Sequence, residues 1–534
     1  MQGTKKTYLR HWLQSIDWQL LFFLTFVLNV KMLVKIAAII LLLLLNLKMF
    51  REKNIYRKKI IWFYFSMIAI TVVNLVLNFS TGSANYFFVV AAGIFFWMMC
   101  AIAALLTLWF IEKTETSKLH NTITLFFILN AAITLVQLLL IMWDSKSFNP
   151  FIYQGMYQKY FVNTGDYMKG LSFAVSTTNA ILNAFGVIYF LSRNKMPLSL
   201  LCMSILLLTA SNFTNVLLVL VLLFVFIFLS NRSQKSIITV SFAMLAVFIV
   251  KVSPQNNTYI TDRYKKISHT PTTKPPPKNI SLLKDKPDSF LSAEERKQKI
   301  AITYLDSIFE KEMKTNPEFG ILKPSIPKPS IHSAPYQHKK DTTAHQRILL
   351  EFAIKNIPGF DTSMRQIKQW NVPGKLVALR QTAGFFTDHP LKIFFGNGVG
   401  NFSSKLALKA AGLGIEGNYP KDLVYINNDF KNNHLSLYLN YFSKKAELHS
   451  IINSPNNVYD QLVSEYGLTG FFSFVFLYIA FFIKKIKAFT YGIPIMLLML
   501  SAFGVDYWFE QLSIVIVFEL LMLLNIKESK EKYA

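Results

Sequence analysis

A chain of 534 residues with 52% apolar and only 16% charged side chains has a composition that excludes an ordinary soluble protein. Its formal net charge of +26 would suggest nucleic-acid binding in a soluble protein, but the basic residues lie mainly in short segments between apolar runs, where membrane topology explains them. The two cysteines, Cys100 and Cys202, both lie inside apolar runs, so neither a disulfide framework nor a metal site is expected.

Apolar runs along the chain predict about twelve membrane-spanning helices. The run 122–143, for example, has no ionisable side chain and can cross about 30 Å of hydrocarbon as a helix. The predicted fold class is therefore all-α, a polytopic membrane helical bundle. The predicted spans are 17–30, 33–50, 59–78, 86–110, 122–143, 171–192, 196–211, 213–230, 235–252, 466–484, 488–505 and 507–526.

Lysine and arginine are concentrated in alternate loops, which predicts the orientation of the chain. Segments such as 51–59, 193–195 and 484–487 are basic, whereas the short loops on the opposite side contain no cation. By the positive-inside rule, the basic segments and both termini are cytoplasmic. The long polar insert, roughly 253–465, should then face the outside.

The composition of the insert changes along its length and predicts two parts. Residues 253–345 are rich in proline and lysine and are typical of a spacer carrying one helix, whereas 346–465 should form a folded, mainly helical lobe. Helices are predicted over 347–356 and 372–387, the second ending before Pro390. The expected divisions are thus 1–252, 253–345, 346–465 and 466–534.

Several cations of the lobe are candidates for binding phosphate. Arg380, Lys375 and Arg347 could all do so, and arginine offers a planar donor fork that matches pyrophosphate. The alternative is that these cations are simply solvated. His389 is either a functional residue or a helix C-terminal cap, and Glu465, where the chain re-enters the membrane, is a functional candidate because an unpaired carboxylate there is costly.

Polar side chains in the predicted span 171–192, including Asn179 and Asn183, have two interpretations: they join helices by hydrogen bonds or they line a cavity. Asp506 and Glu510 lie at another external boundary and raise the same question as a membrane carboxylate. The sequence contains no P-loop, dinucleotide-binding glycine fingerprint or zinc-ligand spacing.

Two motifs carry a resemblance to a known family. The first is DHPLKIFFGNGVGNF after a basic amphipathic helix, and the second is SPNNVYDQLVSEYGLTG at the membrane re-entry. Together with about twelve spans and a large external loop after the ninth, they resemble the O-antigen ligase/polymerase superfamily. The motif similarity covers about 374–402 and 454–470.

Three positions depart from the family pattern. Lys375 stands where a glycine-arginine pair is usual, Asn456 where a histidine proposed as the base is expected, and Asn212 where many members have Ser-Arg. The chain is therefore expected to be a divergent member.

The resemblance implies transfer of a glycan from undecaprenyl diphosphate to an acceptor hydroxyl on the periplasmic face of a bacterial inner membrane. The acceptor would be lipid A core, a growing glycan or a protein, and inversion without metal or cofactor is expected. In this scheme Arg380 and Lys375 stabilise the leaving pyrophosphate. The remaining candidates are Asn456 and Asn457 for orienting the sugar or acceptor, Glu465, His389 and His434 as possible bases, and Arg347 and Asn212 for binding substrate.

Two other functions stay open at this point. A transporter of polysaccharide or of lipid-linked glycan is disfavoured by the single large lobe and by the lack of an evident repeat. A non-catalytic assembly protein is compatible with the altered motif positions.

Overall fold

The computed structural model describes residues 14–51, 59–77, 83–145, 147–152, 164–253, 373–412, 419–441 and 451–533. These residues form α-helices with short 3-10 and π turns, and they contain no strand. The all-α prediction is confirmed for this part of the chain. The predicted helix 347–356, most of the spacer and Arg347 lie outside the described residues.

Apolar helices follow one another up to residue 252. They are α1 Trp18–Val27, α2 Met32–Leu45, α3 Lys59–Leu77, α4 Ala84–Lys113, α5 Thr116–Ser145, α6 Ser176–Ser192, α7 Met196–Leu208, α8 Asn212–Phe228 and α9 Arg232–Val247, which continues as the π turn Phe248–Val252. The polar segment then forms α10 Gly374–Asp388, α11 Lys392–Phe395, α12 Lys405–Ala410, α13 Asn428–Asn432 and α14 His434–Tyr441. The last helices are α15 Val458–Ser473, followed by the π turn Phe474–Ile479, α16 Ala480–Ile483, α17 Gly492–Phe503, α18 Trp508–Gln511 and α19 Ser513–Tyr533.

Within the described part of the chain, five helical stretches are long and apolar enough to cross a membrane, and they indicate a membrane-embedded protein. They cover 59–77, 84–113, 116–145, 232–252 and 458–483. Several other predicted spans form apolar helices of only 10–17 residues, shorter than the roughly 20 residues of a full crossing. The number of about twelve spans therefore stays a prediction.

Local sequence explains where several helices begin and end. The Asp17 side chain caps α1 by accepting from the backbone N–H of Leu20, and Ser83 caps α4 in the same way. Helix α10 covers the predicted 372–387 closely and ends before Pro390, as expected. Helix α15 begins at Val458 rather than at 466, because its first turns are polar and an apolarity criterion passes over them.

The asparagines of α6 join helices. Asn179 accepts from Nδ2 of Asn130 on α5 at 2.8 Å, and its own Nδ2 donates to Thr134 at 3.2 Å and to the carbonyl of Met168 at 2.8 Å. The side chains of Asn130, Thr134 and Asn179 are all buried. These contacts favour the helix-joining interpretation of the polar residues in this predicted span.

The chain forms two compact units. The first comprises Met1–Leu140, Gly165–Leu245 and Asp341–Ala534, and the second comprises Ile141–Thr164 and Ala246–Lys340. Within the second unit, Asn149 donates to the carbonyl of Val252 at 2.9 Å and Phe151 packs edge-on against Phe248. The first unit contains both the apolar helices and the described polar segment, so every residue of the candidate site belongs to it.

Candidate functional site

The two sequence motifs meet through backbone hydrogen bonds. The N–H of Asn397 donates to the carbonyl of Ser464 at 2.8 Å, and the N–H of Gly398 donates to the carbonyl of Glu465 at 3.0 Å. Asn74 of α3 donates to the carbonyl of Glu465 at 3.2 Å and to that of Phe395 at 2.6 Å. The glycine loop, residues 396–400, is thereby fixed to α15 and to the end of an apolar helix.

Glycine is required at the closest point of this contact. Gly396 and Gly467 have φ values of 80° and 66°. A Cβ on Gly396 would lie 2.4 Å from the carbonyl carbon of Glu465, and one on Gly467 would lie 2.5 Å from the backbone nitrogen of Gly396. Both the backbone conformation and the short separation therefore exclude a side chain.

We expect Gly396→Ala and Gly467→Ala each to lower the stability of the lobe by at least about 2 kcal/mol, since strain at positive φ adds to a clash with backbone. Gly384→Ala is the matched control, because a Cβ there meets no atom within 4 Å. Thermal unfolding of the purified variants and protease sensitivity of the lobe measure the difference. Equal stability of all three variants would contradict the described loop contact.

Glu465 is fully buried beneath the glycine loop. Its Oε1 accepts from the backbone N–H of Phe402 at 3.1 Å, and its backbone carbonyl accepts from the N–H of Gly398 in the glycine loop. Glu465 therefore holds the loop in place, in addition to being a base candidate from sequence.

A buried histidine–aspartate pair lies beside this loop. Nε2 of His434 lies 3.0 Å from Oδ2 of Asp460, and both side chains are fully buried. Thr382 of α10 donates to Oδ1 of the same carboxylate at 2.6 Å. Because a carboxylate only accepts, Nε2 of His434 donates, and in the neutral ring Nδ1 is then the acceptor. That Nδ1 is buried and has no hydrogen-bond partner among the described residues.

Lys375 is held against the second motif. Its Nζ donates to the carbonyls of Asn456 and of Val505, the latter at 3.1 Å. Nδ2 of Asn456 in turn donates to Oδ1 of Asp506 at 3.1 Å. Burial lowers the pKa of the Lys375 ammonium to about 8, against the opposing attraction of Asp506 and Asp460. Two of the three departures from the family pattern, Lys375 and Asn456, are thus in direct contact.

Three lysines lie where the polar segment meets the apolar helices. They are Lys35 of α2 and Lys405 and Lys409 of α12, and we call them the lysine cluster. Lys35 of α2 donates from Nζ to the carbonyl of Gln511, and the charges of the two α12 lysines act on it. The same two lysines act on Glu510, whose Oε2 accepts from the backbone N–H of Leu406 at 3.0 Å. Lys35 is buried and bonded to a carbonyl, so the half-buried Lys405 and Lys409 are the two cations of this cluster that a multivalent anion can contact, beside the carboxylate of Glu510.

The histidine pair and the lysine cluster are joined through neighbouring residues of α15. Asp460 holds His434, and the next residue, Gln461, donates from Nε2 to Glu510. A narrow cavity of about 10 Å³ reaches Glu510 between Gly93 and Trp97 of α4 and Val399 of the loop. It has room for about one water molecule.

The remaining residues predicted from sequence lie elsewhere. Arg380 and His389 are exposed, and His389 follows the last residue of α10 with its N–H bonded to the carbonyl of Phe385. Asn457 caps α15 by accepting from the N–H of Tyr459 at 3.0 Å. Asn212 begins α8, and no hydrogen bond among the described residues joins it to this cluster. The role of each as a site residue stays a prediction.

Sequence reasoning did not single out Asp460, Lys405 or Lys409. Asp460 lies inside the second motif, in the first turn of the helix that Asn457 caps, where a carboxylate is favoured. Lys405 and Lys409 are four residues apart, the spacing that places two side chains on one face of a helix. These patterns are visible in the sequence, but the residues that they contact can be identified only in the fold.

No protein-family model matches the chain, and no curated protein is significantly similar to it.

Proposed function

We propose that this protein transfers a glycan from undecaprenyl diphosphate to an acceptor hydroxyl, as a divergent polymerase or ligase of the O-antigen type. The observation that carries the proposal is the lysine cluster, which lies at the end of the apolar helices and directly beside the joined motifs. A prenyl-linked pyrophosphate has its anionic group at this boundary when its chain lies among apolar helices. The site then holds the leaving group and the acceptor at adjacent positions.

The lysine cluster binds the pyrophosphate in this proposal. During transfer the acceptor oxygen attacks the anomeric carbon, the bond from that carbon to the phosphate oxygen breaks, and the negative charge grows on the pyrophosphate. Fixed cations that face this charge lower the barrier without needing to reorganise. Arg380, exposed on α10, is better placed to contact glycan or solvent than a group at the membrane boundary.

His434 is the candidate base. The acceptor hydroxyl gives its proton to Nδ1, and Asp460, bonded to Nε2, stabilises the imidazolium that forms. The ring of Phe402 lies 4.5 Å from the imidazole, centroid to centroid, and His434 is fully buried, so an acceptor reaches Nδ1 only after local rearrangement of the surrounding side chains. Asn456 departs from the family histidine, and His434 would replace the missing base from another segment.

Deletion of the gene tests the class of reaction. Loss of long glycan chains is expected for a polymerase, and an uncapped acceptor with accumulated lipid-linked polymer is expected for a ligase. An unchanged glycan profile in the deletion strain, together with unchanged lipid-linked intermediates, would contradict the proposal.

The pKa of Lys375 predicts a pH dependence. If its charge supports the leaving group, turnover should fall as the pH rises through about 8, and Lys375→Arg should remove that fall because arginine stays protonated.

The free energy of unfolding should instead rise with pH over the same range. A folded pKa of about 8, below the ordinary 10.5, favours the folded state increasingly as the pH rises between these values. Turnover and unfolding measured together from pH 6.5 to 9.5 therefore separate the two effects, and a flat turnover profile would remove Lys375 from the mechanism.

The orientation follows from the basic loops and has its own test. A reporter fused near residue 330 should be active only in the external compartment, whereas fusions after Lys59 or Lys235 should report the cytoplasm. A cytoplasmic signal from residue 330 would overturn the orientation on which the reaction depends.

A further inference from the structure

A second cavity lies at the far ends of the apolar helices from the candidate site. The site is near the end of α3, at Asn74, and near the start of α4, where Tyr86 accepts from Asn401. The second cavity instead lies where α3 begins, at Lys59, and where α4 ends, at Glu112. Because α3 and α4 each run from one cavity to the other, the two cavities lie at opposite ends of these helices.

Four lysines from three separate segments line this cavity. Lys59 comes from the start of α3, Lys485 from the turn after α16, and Lys527 and Lys530 from the last turns of α19, with Glu112 as the one acidic residue of the described lining. Lys527 also donates to the carbonyls of Ile111 and Thr114 at 2.9 and 2.6 Å, so its ammonium is fixed at the end of α4. Lys527 also lies 3.9 Å from the carboxylate of Glu531, so four lysines face two carboxylates, and the remaining positive charge attracts an anion.

The rest of the lining is apolar. Leu108, Ile111, Phe481, Leu523 and Ile526 complete the wall, and the volume is about 430 Å³. Small-molecule sites commonly measure about 300–1,000 Å³. A ligand that fits this lining has an anionic head and an apolar body. A soluble phosphate would satisfy the lysines but leave the apolar wall without a partner.

We propose that this cavity binds the headgroup region of an anionic phospholipid, with the phosphate among the lysines and the first acyl carbons against the apolar wall. Basic pockets between membrane helices recognise such lipids by this combination of contacts. Lipid bound there would bridge α3, α4, the turn after α16 and α19. The inference is independent of glycan transfer, because it concerns lipid retention at the opposite end of the helices.

The test uses the full-length protein in detergent and a triple variant, Lys59→Gln, Lys485→Gln and Lys530→Gln. Lys527 is left unchanged because it bonds the end of α4. The control variant carries Lys484→Gln, Lys487→Gln and Lys532→Gln, which removes the same charge from exposed lysines of the turn after α16 and of α19 that do not line the cavity. Both variants are first compared by thermal unfolding in lipid-free detergent, and both should match the unchanged protein.

Binding of cardiolipin, phosphatidylglycerol and phosphatidylcholine is then measured by native mass spectrometry. We expect the control and the unchanged protein to retain cardiolipin and phosphatidylglycerol over phosphatidylcholine, and the cavity variant to bind them on the order of 100-fold more weakly. Inorganic phosphate at millimolar concentration should not displace the lipid. Equal lipid binding by the two variants, no preference for anionic lipid, or displacement by phosphate alone would each overturn the proposal.

Discussion

Replacing both Lys405 and Lys409 by glutamine should lower glycan transfer on the order of 100-fold or more. These lysines supply the two half-buried cations of the proposed pyrophosphate site, and charge stabilisation of a leaving group is among the largest single contributions to catalysis. Transfer from purified lipid-linked glycan, measured at saturating donor, reports the loss in turnover. Expression and membrane insertion must equal those of the unchanged protein.

Two matched variants separate charge from packing at this site. Lys405→Arg with Lys409→Arg keeps both charges and should retain most of the turnover, since a guanidinium also binds phosphate. Arg380→Gln removes one exposed cation from α10 and should stay within a few-fold of the unchanged protein. If Arg380→Gln loses most of its turnover and the Lys405→Gln, Lys409→Gln variant keeps it, the pyrophosphate lies against α10, as the sequence first suggested.

His434→Gln should lower turnover by about 10²–10⁴-fold, the range that general base catalysis contributes. Glutamine keeps a polar side chain next to Asp460, but it cannot accept a proton. His389→Gln is the control, because that histidine is exposed at the end of α10 and should tolerate the change. The assay is the same transfer reaction, followed as a function of pH.

The pH profile distinguishes a base from a structural histidine. A base gives a rising limb at low pH that disappears in His434→Gln, whereas a purely structural residue would lower turnover equally at every pH. Asp460→Asn should preserve the fold contact with Thr382 and still lower turnover, because it no longer stabilises the imidazolium. A His434→Gln variant with normal turnover would mean that the reaction needs no base at this position.

The sequence predicted the helical class and the ends of α10, because periodicity, proline and glycine act locally. It could not predict which cations share a site. Arg380 and Lys375 stand in one predicted helix, yet Lys375 contacts Asn456 and Val505 whereas Arg380 faces outward. Likewise, nothing local in the apolar run of α2 indicates that Lys35 reaches Gln511, a contact between residues 476 positions apart.

Glu465 illustrates a second limit. A carboxylate at a membrane boundary suggests a function, but Glu465 is buried because it holds the glycine loop. Its Oε1 accepts from the N–H of Phe402, a residue 63 positions away in sequence. For His434, by contrast, burial adds to the reasons for proposing a catalytic role. One of three base candidates in the sequence, it is buried against Asp460 in the fold, with one nitrogen unpartnered among the described residues.

Reconstitution tests the central claim most directly. Purified protein is placed in liposomes with undecaprenyl-diphosphate-linked glycan, and an acceptor glycan or lipid A core is supplied on the side of the polar segment. The account predicts a glycan–acceptor product and free undecaprenyl diphosphate in equal amounts, both lost in the Lys405→Gln, Lys409→Gln variant. Movement of the intact lipid-linked glycan across the bilayer with no product would contradict it and identify a transporter.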